Sequence, residues 1–425
     1  MINVLASTWA LLLGVMLLQV GNGMQGTLLG VRGGIEGFST FELSLIMSGY
    51  FVGFLFGSRR APEMIRRVGH VRVFAALASL ISAIMLFYPT WTNPWAWGAA
   101  RVLIGFCFSG VYVTAESWLN NAASNENRGK ALSLYMIVQS VGIVSAQALM
   151  LVADPGGFVL FIIPSVLISL SFAPILLSIS PTPSFTTSKP MTLRQVMQAS
   201  PLACVGTFLL GAIFSAQFGM SAVYGARMGL SVPEISVFVA SFYVGGLLIQ
   251  YPLGWLSDRM DRRLLIVITS LVVAGAALLG MLMGGFFPVL LVAAFLVGGM
   301  TNPLYSLMLA YINDYLDQDD MASASAGMIF INGLGSIMGP LITGWSMDLI
   351  GPPGFFVFIA VLGLAIAGYA AYRMTQRAAP APSETDRFAP VTPILSSVGV
   401  AVVQEAAQET AQDTAPGDDT PASVS

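Results

Sequence analysis

Residues 254–263 read Gly-Trp-Leu-Ser-Asp-Arg-Met-Asp-Arg-Arg, a short charged cluster between two long apolar runs. The run before it contains Phe242-Tyr243-Val244-Gly245, and 192 positions earlier the chain reads Tyr50-Phe51-Val52-Gly53. That earlier run leads to a second charged cluster, Pro62-Glu63-Met64-Ile65-Arg66-Arg67-Val68-Gly69-His70-Val71-Arg72, and then to another apolar run. A chain that repeats this unit is built from two related halves, and duplicated bundles in membrane proteins hold a binding site between them. Solute transport is the function class this arrangement favours.

Composition sets the solvent. Of 425 residues, 56% are hydrophobic and only 9% charged, against about 25% charged in a soluble domain. Mean hydropathy is +0.79, so most of the chain faces lipid. The net charge of -3 describes loops and tail, because seven of the 21 acids fall between Glu384 and Asp419. The two cysteines, Cys107 and Cys204, lie in apolar runs and give no disulfide framework. A single histidine, His70, excludes multi-histidine zinc or haem sites. No metal and no cofactor is expected. The N-terminal run has no basic flank and is too long for a cleaved signal, so it reads as the first retained span.

A span needs about 20 apolar residues. Twelve are expected, near 4–30, 41–58, 72–89, 95–119, 130–153, 157–180, 200–225, 233–257, 264–283, 287–312, 322–346 and 354–373. Helices are the fitting element, since no barrel-like alternation is present. Residues 1–180 form a first six-helix bundle, 181–199 a polar Pro/Ser/Thr linker and 200–377 a second bundle. Residues 378–425 are rich in Ala, Pro, Ser, Thr and acid and read as a disordered tail, with Val391–Val403 too short to span.

The arginines orient the spans, because cytoplasmic loops carry the excess of Lys and Arg. With both termini inside, the inner loops and tail hold 15 of the 18 basic residues, among them Arg59, Arg60, Arg128, Lys130 and Lys189. The outer loops hold Arg32 and Arg227, and Arg101 lies within a span. An inner-membrane, multi-pass protein with both termini cytoplasmic is expected. Trp91, Trp95 and Trp97 read as an interfacial belt.

Gly254-Trp-Leu-Ser-Asp258-Arg259-Met-Asp261-Arg262-Arg263 resembles the Gly-x-Leu-Ala-Asp-Arg-x-Gly-Arg-Arg loop of the major facilitator superfamily, with Asp261 where glycine is usual. In the first-half copy Arg66 replaces the aspartate and Pro62 the first glycine. Arg101-Val-Leu-Ile-Gly105, Arg128-Gly129-Lys130 and Gly335-Ser-Ile-Met-Gly339-Pro340 resemble further elements of that superfamily. Ala115-Glu116-Ser117-Trp118-Leu119 followed by Asn127-Arg128-Gly129 resembles a poorly characterised bacterial branch of it. The likeness spans roughly residues 4–375. It implies an all-α fold of 12 transmembrane helices in two pseudo-symmetric six-helix bundles. It also implies alternating access, a monomer, a small-molecule substrate with a co-transported proton or sodium ion, and no nucleic acid. The glycine-rich antiporter motif ending in Gly-Pro is absent from the fifth span, where Gly142 stands alone.

Two groups of residues carry the expected mechanism. Asp258 with Arg259, Arg262, Arg263 and Gly254 reads as a gating latch, the aspartate pairing with arginines at the inner mouth; a plain topogenic loop is the other reading. Arg66, Arg67 and Gly69 are the first-half counterparts. Arg101 reads either as a planar fork for a carboxylate or phosphate or as a strut bonding carbonyls. Glu116 reads as a proton carrier or an interfacial ion-pair partner. The resemblance places the first, fourth, seventh and tenth spans around the cavity, which nominates Asn22, Gln25, Tyr112, Gln217, Asn302 and Tyr305 for substrate. Gln139, Gln147, Gln250 and Asn332 read instead as contacts between helices. No carboxylate lies near the middle of a span. The function expected is a secondary carrier of a small organic, weakly favoured anionic, solute. Export of hydrophobic compounds and a sensor without flux are the alternatives. An intramembrane enzyme is disfavoured, since no His-Glu-x-x-His or Gly-x-Gly-Asp pair falls in a span.

Overall fold

The computed structural model describes residues 2–122, 125–177, 191–316, 318–376, 388–392, 395–396, 398–400 and 402–404. Linker residues 181–190 with Lys189, the side chain of Arg128, and Arg377 and Arg387 lie outside that set, as does the tail beyond 404. Among the described residues all regular structure is helical. The first half contains α1 (Ile2–Ile35), α2 (Thr40–Val68), α3 (His70–Thr90), α4 (Pro94–Ala122), α5 (Asn125–Leu149), α6 (Val159–Ser171) and α7 (Ala173–Leu177). A short helix, α8 (Leu193–Ala199), precedes the second half. That half contains α9 (Pro201–Arg227), α10 (Val232–Ser257), α11 (Arg262–Met283), α12 (Phe287–Asn313), α13 (Gln318–Ile350) and α14 (Gly354–Met374). Twelve helices are long and apolar enough to cross a bilayer, α6 and α7 together making the sixth.

The internal repeat has a structural meaning. Ser39 and Ser231, 192 positions apart, each cap a helix with a reciprocal serine–glutamate box. Glu42 N–H donates to the Ser39 hydroxyl at 3.2 Å, and Ser39 N–H donates to Glu42 at 2.8 Å. Ser231 and Glu234 repeat the pattern. Each box satisfies helix N-terminal donors that have no intrahelical acceptor. Further along, Gly53 of α2 lies on the backbone of α4 at Val102, and Gly105 of α4 lies on the backbone of α2 at Tyr50. Gly245 of α10 and Gly298 of α12 repeat that crossing on the backbones at Phe295 and Phe242. Lipid removes the hydrophobic drive between helices, so close van der Waals approach at small residues holds such pairs together.

The structure departs from sequence expectation in three places. The first charged cluster is not a loop: α2 continues through Pro62 to Val68, and only Gly69, at φ 84°, separates it from α3. Glu63 makes this helical extension favourable by pairing with Arg66 and with Arg67 one turn on, the latter at 2.7 Å. Trp97 is no belt residue. It is fully buried, donating through Nε1 to the Tyr88 carbonyl at 3.0 Å, whereas Trp91 and Trp95 are exposed. Finally, part of the stretch expected to be disordered is packed against the bundles: Val391, Leu395 and Val400 are fully buried.

The two halves meet tightly at the end that carries Arg227. Gly30 of α1 lies against Ala222 and Val223 of α9, and Gly219 of α9 lies against Met47 of α2. Arg227 donates to Thr40 across the halves at 2.9 Å and to Asp348 at 2.8 Å. Toward the opposite, basic end α2 and α13 stay in touch, with the Arg59 guanidinium 4.2 Å from the centre of the Phe330 ring. Between the halves at that end, a cavity reaches Gly254 and Asp258 of α10 and Ser133 of α5.

Leucine at Gly53 or Gly245 is expected to destabilise the protein by about 1–3 kcal/mol or more, because the facing group is backbone. Leucine at Gly275, which has open space around it, should stay within about 0.5 kcal/mol. Thermal unfolding in detergent checks the contrast.

Candidate substrate-binding site

Between the halves lies a cavity of about 600 Å³. Its walls come from α5 (Met136, Ile137, Gln139, Ile143), α9 (Phe214, Phe218), α10 (Tyr243, Gln250, Tyr251, Trp255) and Asn302 of α12. Residues Phe388, Pro390 and Thr392 complete it. The lining is mainly aromatic and aliphatic with a few amides, the usual make-up of a small-molecule site.

Of the predicted substrate residues, Asn302 borders the cavity. Asn22, Gln25 and Tyr112 form one buried chain with Gln19: Gln25 Nε2 donates to Asn22 Oδ1 at 2.9 Å, and Asn22 Nδ2 to the Tyr112 hydroxyl at 2.9 Å. Tyr112 in turn donates to Gln19. Gln19 Nε2 and Gln25 Oε1 are left without a partner. Gln217 instead joins two helices of its own half, its Nε2 bonding Thr301 at 3.2 Å. Tyr305 is fully buried, its hydroxyl unpartnered.

Arg101 is fully buried. Its guanidinium carbon is 4.8 Å from the centre of the Tyr50 ring, and Nη2 reaches Met47 Sδ at 3.9 Å. Nε and Nη1 have no hydrogen-bond acceptor, and the hydroxyls of Tyr50 and Tyr88 also lack partners. Tyr50 stacks at 5.4 Å on Phe218, which belongs to the cavity wall. An aromatic layer therefore separates the arginine from the cavity.

Two residues of this region escape sequence reasoning. Gln139, read as a contact between helices, is buried at the cavity with both amide atoms unpartnered. Tyr50 sat in view as part of the repeat, yet a repeat signals topology and not chemistry. By contrast Gln147 and Asn332 do join helices, to Thr27 and to the Thr207 carbonyl.

The second loop is wired differently from the expected latch. Asp261, standing where the superfamily motif has glycine, caps α11 and holds Arg263 by its backbone N–H at 2.9 Å and its Nη2 at 2.8 Å. Arg262 pairs with Asp314 at the end of α12, both side chains almost fully buried. Arg259 stacks on Trp255 at 4.2 Å. Asp258 pairs with none of these arginines; its Oδ1 accepts the N–H of Phe388 at 2.7 Å, and Gly254 leaves the space that the Phe388 ring occupies. Glu116 is fully buried, accepting from Tyr135 at 3.0 Å and from Ser396 N–H at 2.9 Å. Arg66 and Arg67 remain on the surface with Glu63, and Gly69 serves the break between α2 and α3.

Twin helical bundles in contact at the Arg227 end, with a cavity between them that reaches Asp258 toward the basic end, have the architecture of a membrane carrier. The family model of the Major Facilitator Superfamily matches residues 11–232 and 202–407. The chain belongs to that superfamily: it is a multi-pass secondary transporter and not an enzyme. It is 25% identical over 355 residues to the uncharacterised MFS-type transporter YcaD of Escherichia fergusonii, covering 82% of this chain and 91% of that one. To YfkF of Bacillus subtilis, also an uncharacterised MFS-type transporter, it is 26% identical over 361 residues with the same coverage. The fold is similar to that of a mutant form of the nucleoside transporter NupG, with a TM-score of 0.74, 14% identity, and coverage of 86% of this chain and 99% of that chain.

Asp314→Asn should cost about 3–5 kcal/mol by removing the charge of the buried carboxylate that pairs with Arg262, whereas Glu63→Gln, on the surface, should cost under about 1 kcal/mol. Chemical unfolding of the two variants checks this. Partial burial raises the Asp261 pKa, but the Arg263 hydrogen bonds outweigh it and hold the carboxyl below its usual range. The group therefore stabilises the fold at neutral pH and loses that contribution as pH falls through its lowered value. Asp261→Gly should flatten the acid limb of a stability–pH curve.

Proposed function

We propose that this carrier moves a small organic anion by alternating access and that Arg101 receives the anionic group. One observation carries the reading: Arg101 is fully buried in the first half, behind the Tyr50–Phe218 layer, with Nε and Nη1 unpartnered. An arginine within a span costs about 2.5–3.5 kcal/mol on insertion scales. A strut would offset that cost by donating to carbonyls, and here a ring face and a thioether are the neighbours. A planar fork with free N–H groups suits a carboxylate or phosphate. The cavity is then the waiting chamber, with Gln139 offering the first amide. Tyr50 and Phe218 form the layer that must shift for the solute to reach Arg101.

The clusters around Arg59–Arg72 and Arg259–Arg263 share one end of the bundle, which supports placing that end in the cytoplasm of a plasma-membrane protein, with both termini there. The conformation described is then closed outside. One observation favours export of hydrophobic compounds as a second reading. Ile137, Leu247, Tyr251 and Trp255 both line the cavity and are exposed on the flank of the molecule where α5 meets α10, which offers apolar solutes a way in from lipid.

Uptake into proteoliposomes, run with a panel of radiolabelled carboxylates, phosphate esters and neutral aromatic compounds, tests both readings. At least one anion should accumulate. Arg101→Gln should raise its KM about ten-fold or more, equivalent to about 1.4 kcal/mol, with Arg101→Lys in between and folding intact. Unchanged kinetics in Arg101→Gln would remove Arg101 from the site. Accumulation of neutral aromatic compounds alone would select the second reading.

A further inference from the structure

The basic end of the molecule is not empty. Residues Phe388–Thr392, Leu395, Ser396 and the helical residues 398–400 and 402–404 lie in it. Their contacts span both halves. In the second half, Phe388 N–H donates to Asp258 of α10, Val391 exchanges two bonds of 2.8 and 2.9 Å with the Ser306 hydroxyl of α12, and Gln404 accepts from Ser325 of α13 at 3.1 Å. In the first half, the backbone N–H and hydroxyl of Ser396 both donate to Glu116 of α4.

Shape agrees with polarity. The Phe388 ring fills the notch at Gly254, and Gly399 lies so close to the Glu116 carboxylate that a Cβ there would stand 2.6 Å from Oε2. Val391, Leu395 and Val400 are fully buried, with Val402 and Val403 nearly so. Glu116 gains from this segment most of the hydrogen bonds a buried carboxylate requires. Phe388, Pro390 and Thr392 also form part of the cavity wall, so the segment stands between the cavity and the basic end.

From this arrangement we infer that the described residues between Phe388 and Gln404 form a displaceable plug: they dock on their own carrier, shut the cavity to water from the basic end and wedge the halves apart. The geometry explains why. Closing the basic end requires α4 and α5 to approach α10 and α12, and the plug occupies that space. Asp258 and Glu116, both nominated from sequence for gating or coupling, are the two carboxylates that hold it. The plug thus fixes one access state, and turnover requires its release.

A labelling experiment tests the plug without any transported solute, so its outcome is independent of the anion reading. The carrier bears Ser140→Cys in the cavity wall, with Cys107 and Cys204 changed to alanine, and is placed in lipid nanodiscs. The probe is a charged, membrane-impermeant methanethiosulfonate. Five samples are compared: the full chain; the chain ending at Arg387; the full chain with Leu395→Asp and Val400→Asp; the shortened chain with a synthetic 388–404 peptide; and the shortened chain with a scrambled peptide of the same composition. Labelling follows the fraction of molecules with an open mouth. The shortened and doubly substituted chains should label at least about ten-fold faster than the full chain. The peptide should return the shortened chain to the slow rate, while a scrambled peptide should not. Equal rates in the full and doubly substituted chains, or equal protection by the scrambled peptide, would overturn the proposal. The doubly substituted chain keeps every transmembrane residue and so decides the matter even if the shortened chain folds poorly.

Discussion

Close contact at glycine is the constraint on which the rest of this structure depends. Helices in lipid satisfy their own backbone and gain little from the hydrophobic effect on meeting one another. What remains is packing. The Gly53/Gly105 crossing joins α2 to α4, and the Gly245/Gly298 crossing joins α10 to α12, backbone against backbone. Each half is stiffened in the same way because each inherits the same crossing. At Gly30 and Gly219 the contacts between the halves are less close: a Cβ there would stand 3.0 Å from its nearest neighbour in the other half, against 1.8 Å at Gly53 and 2.1 Å at Gly245. That difference allows two stiff bodies to tilt about a common middle.

Polar chemistry then sits inside the first half and along the cavity. Arg101, the Asn22–Gln25–Tyr112 chain and Gln139 all hold unsatisfied or shared hydrogen-bonding capacity in a setting with little water to absorb it. Unsatisfied buried groups are costly, and a ligand that completes them recovers the cost. Around Arg101 the unpartnered groups are its own Nε and Nη1 and the hydroxyls of Tyr50 and Tyr88.

Much of this architecture was legible in the sequence, because span length, the positions of arginines and the repeat are local or periodic signals. All twelve spans are present near their expected positions. The boundary of α2 was misplaced because the Glu63 pairs with Arg66 and Arg67 make a charged segment helical, and hydropathy does not register side-chain pairing. The partner of Asp258 was hidden for a different reason. Asp261 and Asp314 claim the nearby arginines, and Phe388 lies 130 positions away. The apolar run at 391–403 is plain in the sequence and too short for a span, and nothing local in it signals that Val391, Leu395 and Val400 are buried against the bundles. Gln139 could not be told from Gln147 by type or span position, since they differ only in which way each side chain points.

The seal around Arg227 has a consequence of its own. Its charged bond across the halves, Arg227 to Thr40, is exposed, and such contacts contribute at most about 1 kcal/mol and weaken with salt; another, from the Ser48 hydroxyl to the Ile337 carbonyl at 2.5 Å, joins two uncharged groups. The dry contacts of Gly30 with Ala222 and of Gly219 with Met47 do the sealing. A closure of that kind depends little on charged groups. The force needed to part it is set by atomic volume, so hydrostatic compression and the lateral tension of the surrounding membrane, rather than ionic strength, are the physical variables to which that face of the carrier responds.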